Sequence, residues 1–434
     1  MDKVLVIQLA RFGDLMQTKR LLLSLAQTSE VHILIDKSLA SLAELVFPNV
    51  TVHTVFAHKN SNALGKKADF YSSFIIDNAK TFHTLKETSF SQVYNLNFSG
   101  LNHAVAGLFP PKKVQGHIYH NGQHCYSKWT ALTFKLVKNR RLGINLVDIW
   151  GAYAPQMIPA EDVNPKAEYK DIPIADQTVG IVMAGRESRR SLPLETLTHL
   201  ANSILQKGQS ITLLGTDLEK RDASRLVANI SPAKAHKVLD LTGKTNWESL
   251  AQTLSDLYEI ITPDTGTMHL AAHLGTPVKG FFLSSAWCFE TGPYGEGHTV
   301  YQARTDCAPC LESAPCPYGT KCNLPFSSPD FLRYFNGKSE NLPTGVIHLT
   351  STFDALGCQY APTDESKGIG DHWQQQEARR SSLRGFICEH LRQSQNSTHL
   401  CSIVPEHDFI HARELYQSAD WMTEFFPEAD RDRS

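Results

Sequence analysis

Asp264-Thr265-Gly266-Thr267-Met268-His269-Leu270-Ala271-Ala272-His273-Leu274-Gly275-Thr276-Pro277 is the stretch whose reading decides the fold. It follows Tyr258-Glu259-Ile260-Ile261-Thr262, an apolar run of strand length. It continues into an apolar-faced helix that Gly275 and Pro277 bring to an end. A strand that ends in an acid, a hydroxyl and a glycine and then opens a helix is an anion site by construction. The first helical N–H groups have no partner inside the helix and point out of its end. Gly266 lets a phosphate approach the backbone, and Thr265 and Thr267 offer hydroxyl donors. Asp264 is too negative to hold a phosphate and suits sugar or ribose hydroxyls. The plainer reading is an N-capped helix after a core strand.

Working outward, the same pattern recurs at the start of the chain. Val4–Leu9 is a continuous apolar run, as in a parallel strand buried on both faces. It ends in Ala10-Arg11-Phe12-Gly13-Asp14, and leucines from Leu15 to Leu25 supply a helical face. Asp14 therefore belongs to the mouth of the first βα loop, where open α/β sheets place their ligands, or simply caps the helix. Further strands are expected at 31–36, 52–56, 92–98 and 114–119, with a short helix over 38–47 and another running to Leu108. Alternating strands and helices imply a parallel sheet with right-handed crossovers.

The polar, proline-bearing stretch Asn164–Pro173 reads as a hinge. A second α/β pattern begins at Thr178 with strands at 178–185, 210–214, 239–245 and 278–283. Helices are expected from Pro193 to about Lys207, over 219–229 and over 247–257. The expected organisation is an N-terminal Rossmann-like domain over 1–163, a hinge over 164–177, a second Rossmann-like domain over 178–355 and a tail over 356–434. Helices are expected in the tail at 373–392 and 410–421, with no chemistry assigned to them.

The chain has 434 residues, 41% hydrophobic and 20% charged, with a formal net charge of −2. That length favours two domains, and that charge argues against bulk binding of nucleic acid. No apolar run is long enough to span a membrane, and the first residues read as a strand rather than a leader, so a cytoplasmic protein is expected. Lys112, Lys113, Lys128, Lys135, Lys138, Arg140 and Arg141 form a run without acids. It is either a solvated helix face or a patch for lipid phosphates, giving peripheral contact at the inner membrane. Cys307, Cys310, Cys316 and Cys322 are spaced as a tetrahedral thiolate site for a structural zinc or iron, with free or transiently oxidised thiols as the alternative.

The Arg11-Phe12-Gly13-Asp14 turn and the Asp264–Ala272 and Leu274–Pro277 segments together resemble glycosyltransferase family 9, the heptosyltransferases. Asp240-Leu241-Thr242-Gly243-Lys244-Thr245 and Gly292-Pro293-Tyr294-Gly295 are similar to further family segments. The resemblance implies a GT-B fold, two Rossmann-like domains facing a central cleft. It implies inverting transfer of heptose from ADP-heptose to a sugar of the lipopolysaccharide core, or another glycan acceptor, with no cofactor needed for catalysis. Asp14 is then the general base. Arg190, Glu219, Asp264, Thr265, Gly266, Thr267 and His269 bind the donor. Arg190 stands where the family carries a lysine, Leu192 where it carries a tryptophan, and Lys19 where a proline is common. The clustered cysteines resemble the iron finger of protein heptosyltransferases, so transfer to a protein is a second expectation. A nucleotide-sugar-binding protein without activity is the expectation from another class.

Overall fold

The computed structural model describes residues 1–57, 67–121, 123–137, 143–185, 188–305, 307–310, 314–363, 371–395 and 404–405. The helix expected at 410–421, Cys401, and the basic residues Lys138, Arg140 and Arg141 lie outside them. The chain divides into two compact units. One comprises Met1–Asn139, Ile149–Ile158 and Glu389–Ser434; the other comprises Arg140–Asp148 and Pro159–Cys388.

The first unit holds a seven-stranded sheet. Its strands are β1 (Asp2–Ile7), β2 (Ser29–Asp36), β3 (Thr51–Val55), β4 (Phe90–Asn95), β5 (Val114–His120) and β6 (Gln123–Tyr126), with β15 (Val404–Pro405) from the far end of the chain. Their order is β15-β6-β5-β4-β1-β2-β3. β1 to β5 are parallel, and β6 and β15 are antiparallel additions at one edge. Leu5, Ile7, Leu34, Val93 and Ile118 are buried in it, as the continuous apolar runs require. Gly116 sits at φ 91°, and a Cβ there would meet the Asn95 carbonyl oxygen at 2.0 Å, so the chain reaches β5's close pairing with β4 only through glycine.

The second unit holds an eight-stranded sheet of β7 (Thr178–Val182), β8 (Ser210–Leu214), β9 (Val238–Asp240), β10 (Glu259–Pro263), β11 (Val278–Phe282), β12 (Thr299–Ala303), β13 (Val346–Phe353) and β14 (Cys358–Pro362). The order is β14-β13-β12-β11-β10-β7-β8-β9, with β13 and β14 antiparallel. The layer therefore does not close at β11; three more strands follow, and β14 falls in the stretch read as tail. The helix Leu194–Gln206 buries Leu197, Leu200, Ala201 and Ile204, one face at helical spacing, in the core with Val179, Ile181, Leu213 and Phe281. The stretch 164–177 belongs to this unit, where Asn164 Nδ2 donates to the Tyr294 carbonyl at 2.7 Å.

In both sheets the order reverses direction once in the parallel part. β1 lies between β2 and β4, and β7 lies between β8 and β10. A crevice opens at the carboxyl ends of the strands at such a reversal, which is where α/β sheets bind ligands.

Candidate active site

The second unit's reversal brings the decisive stretch to the loop after β7. β10 is wholly buried and delivers Asp264 at its end. Thr265 is the N-cap of the helix Gly266–His273, its Oγ1 accepting the Met268 N–H at 3.3 Å. Its hydroxyl also lies 3.1 Å from Thr262 Oγ1, so Thr265 is engaged as a cap. Gly266 is the first helical residue and has an ordinary negative φ. It therefore makes no left-handed turn here. At the other end Gly275, φ 77°, donates to the Ala272 carbonyl and Thr276 N–H to that of Ala271, the paired bonds of a left-handed helix stop.

Across the reversal, Ser191 Oγ accepts the Gly185 N–H at 2.7 Å and pins the loop that carries Arg190. Arg190 Nη2 donates to Asp264 Oδ2 at 2.6 Å. The pair is 74 residues apart in sequence, and both side chains are largely buried, at 13% and 6% exposure. Thr291 Oγ1 donates to the same oxygen at 2.8 Å. His269 Nε2 stands 4.0 Å from Asp264 Oδ1. Burial, aided by the Arg190 cation and opposed by Asp264, lowers the His269 pKa to about 4, so the ring is neutral at pH 7. The sequence sets Asp264 on sugar hydroxyls and Arg190 on the donor; the fold brings the two side chains together as an ion pair.

The family model of glycosyltransferase family 9 (heptosyltransferase) matches residues 98–320, just over half of the chain, and spans this whole network. The chain belongs to glycosyltransferase family 9. No curated protein matches it in sequence. Among solved structures, the Escherichia coli ADP-heptose LPS heptosyltransferase II is similar at a TM-score of 0.52 and 16% identity, over 69% of this chain and 89% of that one. A family 9 glycosyltransferase from Veillonella parvula is similar at 0.54 and 17%, over 70% and 89%. At such identities the likeness carries the fold, the GT-B pairing of two Rossmann-like units.

In the first unit of this glycosyltransferase, Asp14 is the third residue of the helix Phe12–Gln17, just past β1. Its Oδ2 accepts the Arg11 N–H at 3.2 Å, and the residue is half-buried. Past β4, across the reversal, Ser99 caps the helix Gly100–Ala106 by accepting the Asn102 N–H at 3.1 Å. Beside it His103 and His117 pack edge to face with Phe98 and with each other, His117 also with Tyr126 and His103 also with His124, whose Nδ1 meets His103 Nε2 at 3.2 Å. Burial, reinforced by His124, pushes His103 down to about 3, and burial, with His103 and His124, pushes His117 far below its ordinary value.

Glu219 lies past β8. Its Oε2 takes both the Thr216 N–H and hydroxyl at 2.7 Å, a capping box. Of the basic run, Lys113 Nζ donates to the Phe90 carbonyl at 2.7 Å, while Lys112 and Lys128 are exposed. No described helix is long and apolar enough to cross a membrane.

The four clustered cysteines line one cavity of about 130 Å³ with Arg189, Ser284 and Tyr318. Among the described residues, however, no three His, Cys, Asp or Glu side chains are gathered to hold a metal ion. Each sulfur has another neighbour: Thr305 Oγ1 at 3.4 Å from Cys307, Ser284 Oγ at 3.2 Å from Cys310, the Thr320 N–H at 3.4 Å on Cys316, and Asn323 Oδ1 at 3.7 Å from Cys322. The four sulfurs expected to hold zinc or iron thus share the lining of one cavity, with no gathered ligand set among the described residues.

Sequence reading missed Thr291 and Ser191. Ser191 could have been found, because a hydroxyl just after a charged loop and just before Leu192-Pro193 is placed to close that loop. Thr291 carries no signal; only the fold brings it to Asp264.

Proposed function

We propose that this glycosyltransferase moves a heptose from ADP-heptose to a sugar hydroxyl of the lipopolysaccharide core with inversion. The observation that carries the reading is the Arg190–Asp264 pair set at a strand-order reversal beside the open N-terminus of the helix Gly266–His273. It offers what a nucleoside diphosphate needs, a fixed cation and unpaired backbone N–H groups at one place.

In the proposed reaction the acceptor oxygen attacks the anomeric carbon as the bond from that carbon to the diphosphate oxygen breaks. Asp14 takes the acceptor proton, and ADP leaves with the bonding pair. The transition state is oxocarbenium-like, as in glycoside hydrolysis. Charge growing on the leaving phosphate is met by Arg190 and by the amides at Gly266 and Thr267. Thr265 contributes by holding the helix end in shape. Asp264 keeps Arg190 oriented, and neutral His269 leaves the local charge to that pair. Glu219 is assigned to the ribose. Support for Asp14 as base comes from its place just past β1, where the residue is only partly buried.

The test is a stability screen with nucleotides followed by a transfer assay. ADP and ADP-heptose are expected to stabilise the protein, by about 2.7 kcal/mol at a hundredfold their dissociation constant. Turnover is expected with ADP-heptose and a core-sugar acceptor. Stabilisation by UDP but not ADP would assign the donor elsewhere.

A further inference from the structure

The helix Asp371–Gln395 lies beyond the stretch that the family model matches, and sequence gave it no role. Two of its arginines are buried. Arg384 forms a two-pronged pair with Asp354, Nε to Oδ2 at 2.6 Å and Nη2 to Oδ1 at 2.7 Å. Arg380 is 2% exposed, and its Nε donates to Glu377 at 3.2 Å. Its guanidinium lies 3.7 Å from the centroid of the Phe289 ring. Phe289 belongs to the single helical turn Cys288–Thr291, whose last residue is the Thr291 that donates to Asp264.

A helix of four residues is not held by its own hydrogen bonds, because nucleation is costly and nothing follows to offset it. Side-chain contacts must place it. Here they are the Gln302 side chain accepting the Cys288 N–H at 3.0 Å, the edge of Tyr360 at 5.8 Å from Phe289, and Arg380 over the Phe289 face. Burial pushes the Cys288 thiol well above its ordinary pKa, and the Arg380 cation opposes that rise.

We infer that Arg380 is a positioning residue for the donor site: by clamping Phe289 it fixes the turn Cys288–Thr291, so that Thr291 holds Asp264 and Asp264 holds Arg190. This rests on the donor reading above. The chain of contact is Arg380, Phe289, Thr291, Asp264, Arg190, and every link joins residues of the second unit.

Two measurements on the full-length protein decide it. Hydrogen exchange without ligand should rise in peptides over 286–292 and 262–268 in Arg380→Ala and in Phe289→Leu. ADP titration of the folded variants should show a dissociation constant raised about tenfold, the loss of roughly one oriented hydrogen bond. Arg380→Lys keeps the charge but not the flat face and should recover only part of it. The double variant Arg380→Ala with Thr291→Val should bind ADP no more weakly than the worse single variant, since both act along one path. A purely structural Arg380 would lower the melting temperature and leave ADP affinity and the exchange of 262–268 unmoved, which would overturn the inference. Additive losses in the double variant would overturn it too. Wild-type protein that ignores ADP would instead remove the donor reading, and the exchange measurement would still decide whether Arg380 and Asp264 are coupled.

Discussion

The two sheets share a strand order through their parallel parts, and each offers a crevice after its reversal. They furnish it differently. In the second, the carboxylate of Asp264 is 6% exposed and closed off by Arg190 and Thr291. In the first, Asp14 is partly buried, and its Oδ2 accepts the Arg11 N–H. A carboxylate whose work is to orient a cation is best buried and paired. One whose work is to accept a proton, as proposed for Asp14, must be reachable. On the proposed reading, the same topology yields an orienting acid in one unit and a proton-accepting acid in the other.

The sharpest way to break this contrast is Asp14→Asn. It keeps the size of the side chain and an acceptor for the Arg11 N–H but removes the base. Turnover is expected to fall about 10²–10⁴-fold, while ADP affinity stays at the wild-type value. Initial rates and ADP titration check it. A variant with wild-type turnover would leave the first crevice without its assigned role.

Arg190→Ala tests the other half. It leaves the Asp264 carboxylate buried with Thr291 alone, and breaking such a pair costs about 3–5 kcal/mol. The melting temperature should drop, and ADP binding should weaken with it. Adding Asp264→Asn to Arg190→Ala removes the stranded charge and should restore stability but not ADP binding. Restoration of both would show that Arg190 serves the fold and not the donor.

Much of this contrast was legible before the fold was known, and the reasons differ by residue. The apolar runs that became β1, β8 and β10 announce buried parallel strands, and the turns after β1 and β10 carry Asp14 and Asp264 in plain view. β12 did not announce itself. Its Gln302 is fully buried, where it accepts the Cys288 N–H, and a buried polar residue breaks the apolar signal. The helix Asp371–Gln395 was expected over 373–392, but the burial of Arg380 and Arg384 was not, because arginine is usually read as exposed. The Arg190–Asp264 pair joins two residues that each seemed complete alone, and only the strand order sets them side by side.

Acid should test the first unit's histidine cluster by a smaller effect. His103 and His117 are held neutral in the fold, His103 with a pKa of about 3, against about 6.5 when unfolded. Above pH 6.5 they are neutral in both states and contribute nothing to the pH dependence. As pH falls from about 6.5 toward 3 the unfolded chain takes up protons that the native state refuses, so stability declines. Each such histidine contributes a slope of about 1.4 kcal/mol per pH unit. His103→Phe should flatten urea-measured stability against pH by about one such slope, and an unchanged slope would mean that the cluster is protonated in the native state.

The finest distinction concerns Glu219, which is either a helix cap or a ribose ligand as well. Glu219→Gln separates the two because glutamine also serves in a capping box. The cap at Thr216 should survive, with stability changed by less than about 0.5 kcal/mol. A ribose hydroxyl, however, donates more strongly to a carboxylate than to an amide oxygen, a difference of about 1 kcal/mol, or roughly fivefold in affinity. ADP titration should therefore show a dissociation constant raised about fivefold, while 2′,3′-dideoxy-ADP, which lacks the hydroxyls, should bind wild type and variant alike. Equal binding of ADP itself would reduce Glu219 to its capping bond, and the second crevice would then grip its nucleotide through the diphosphate alone.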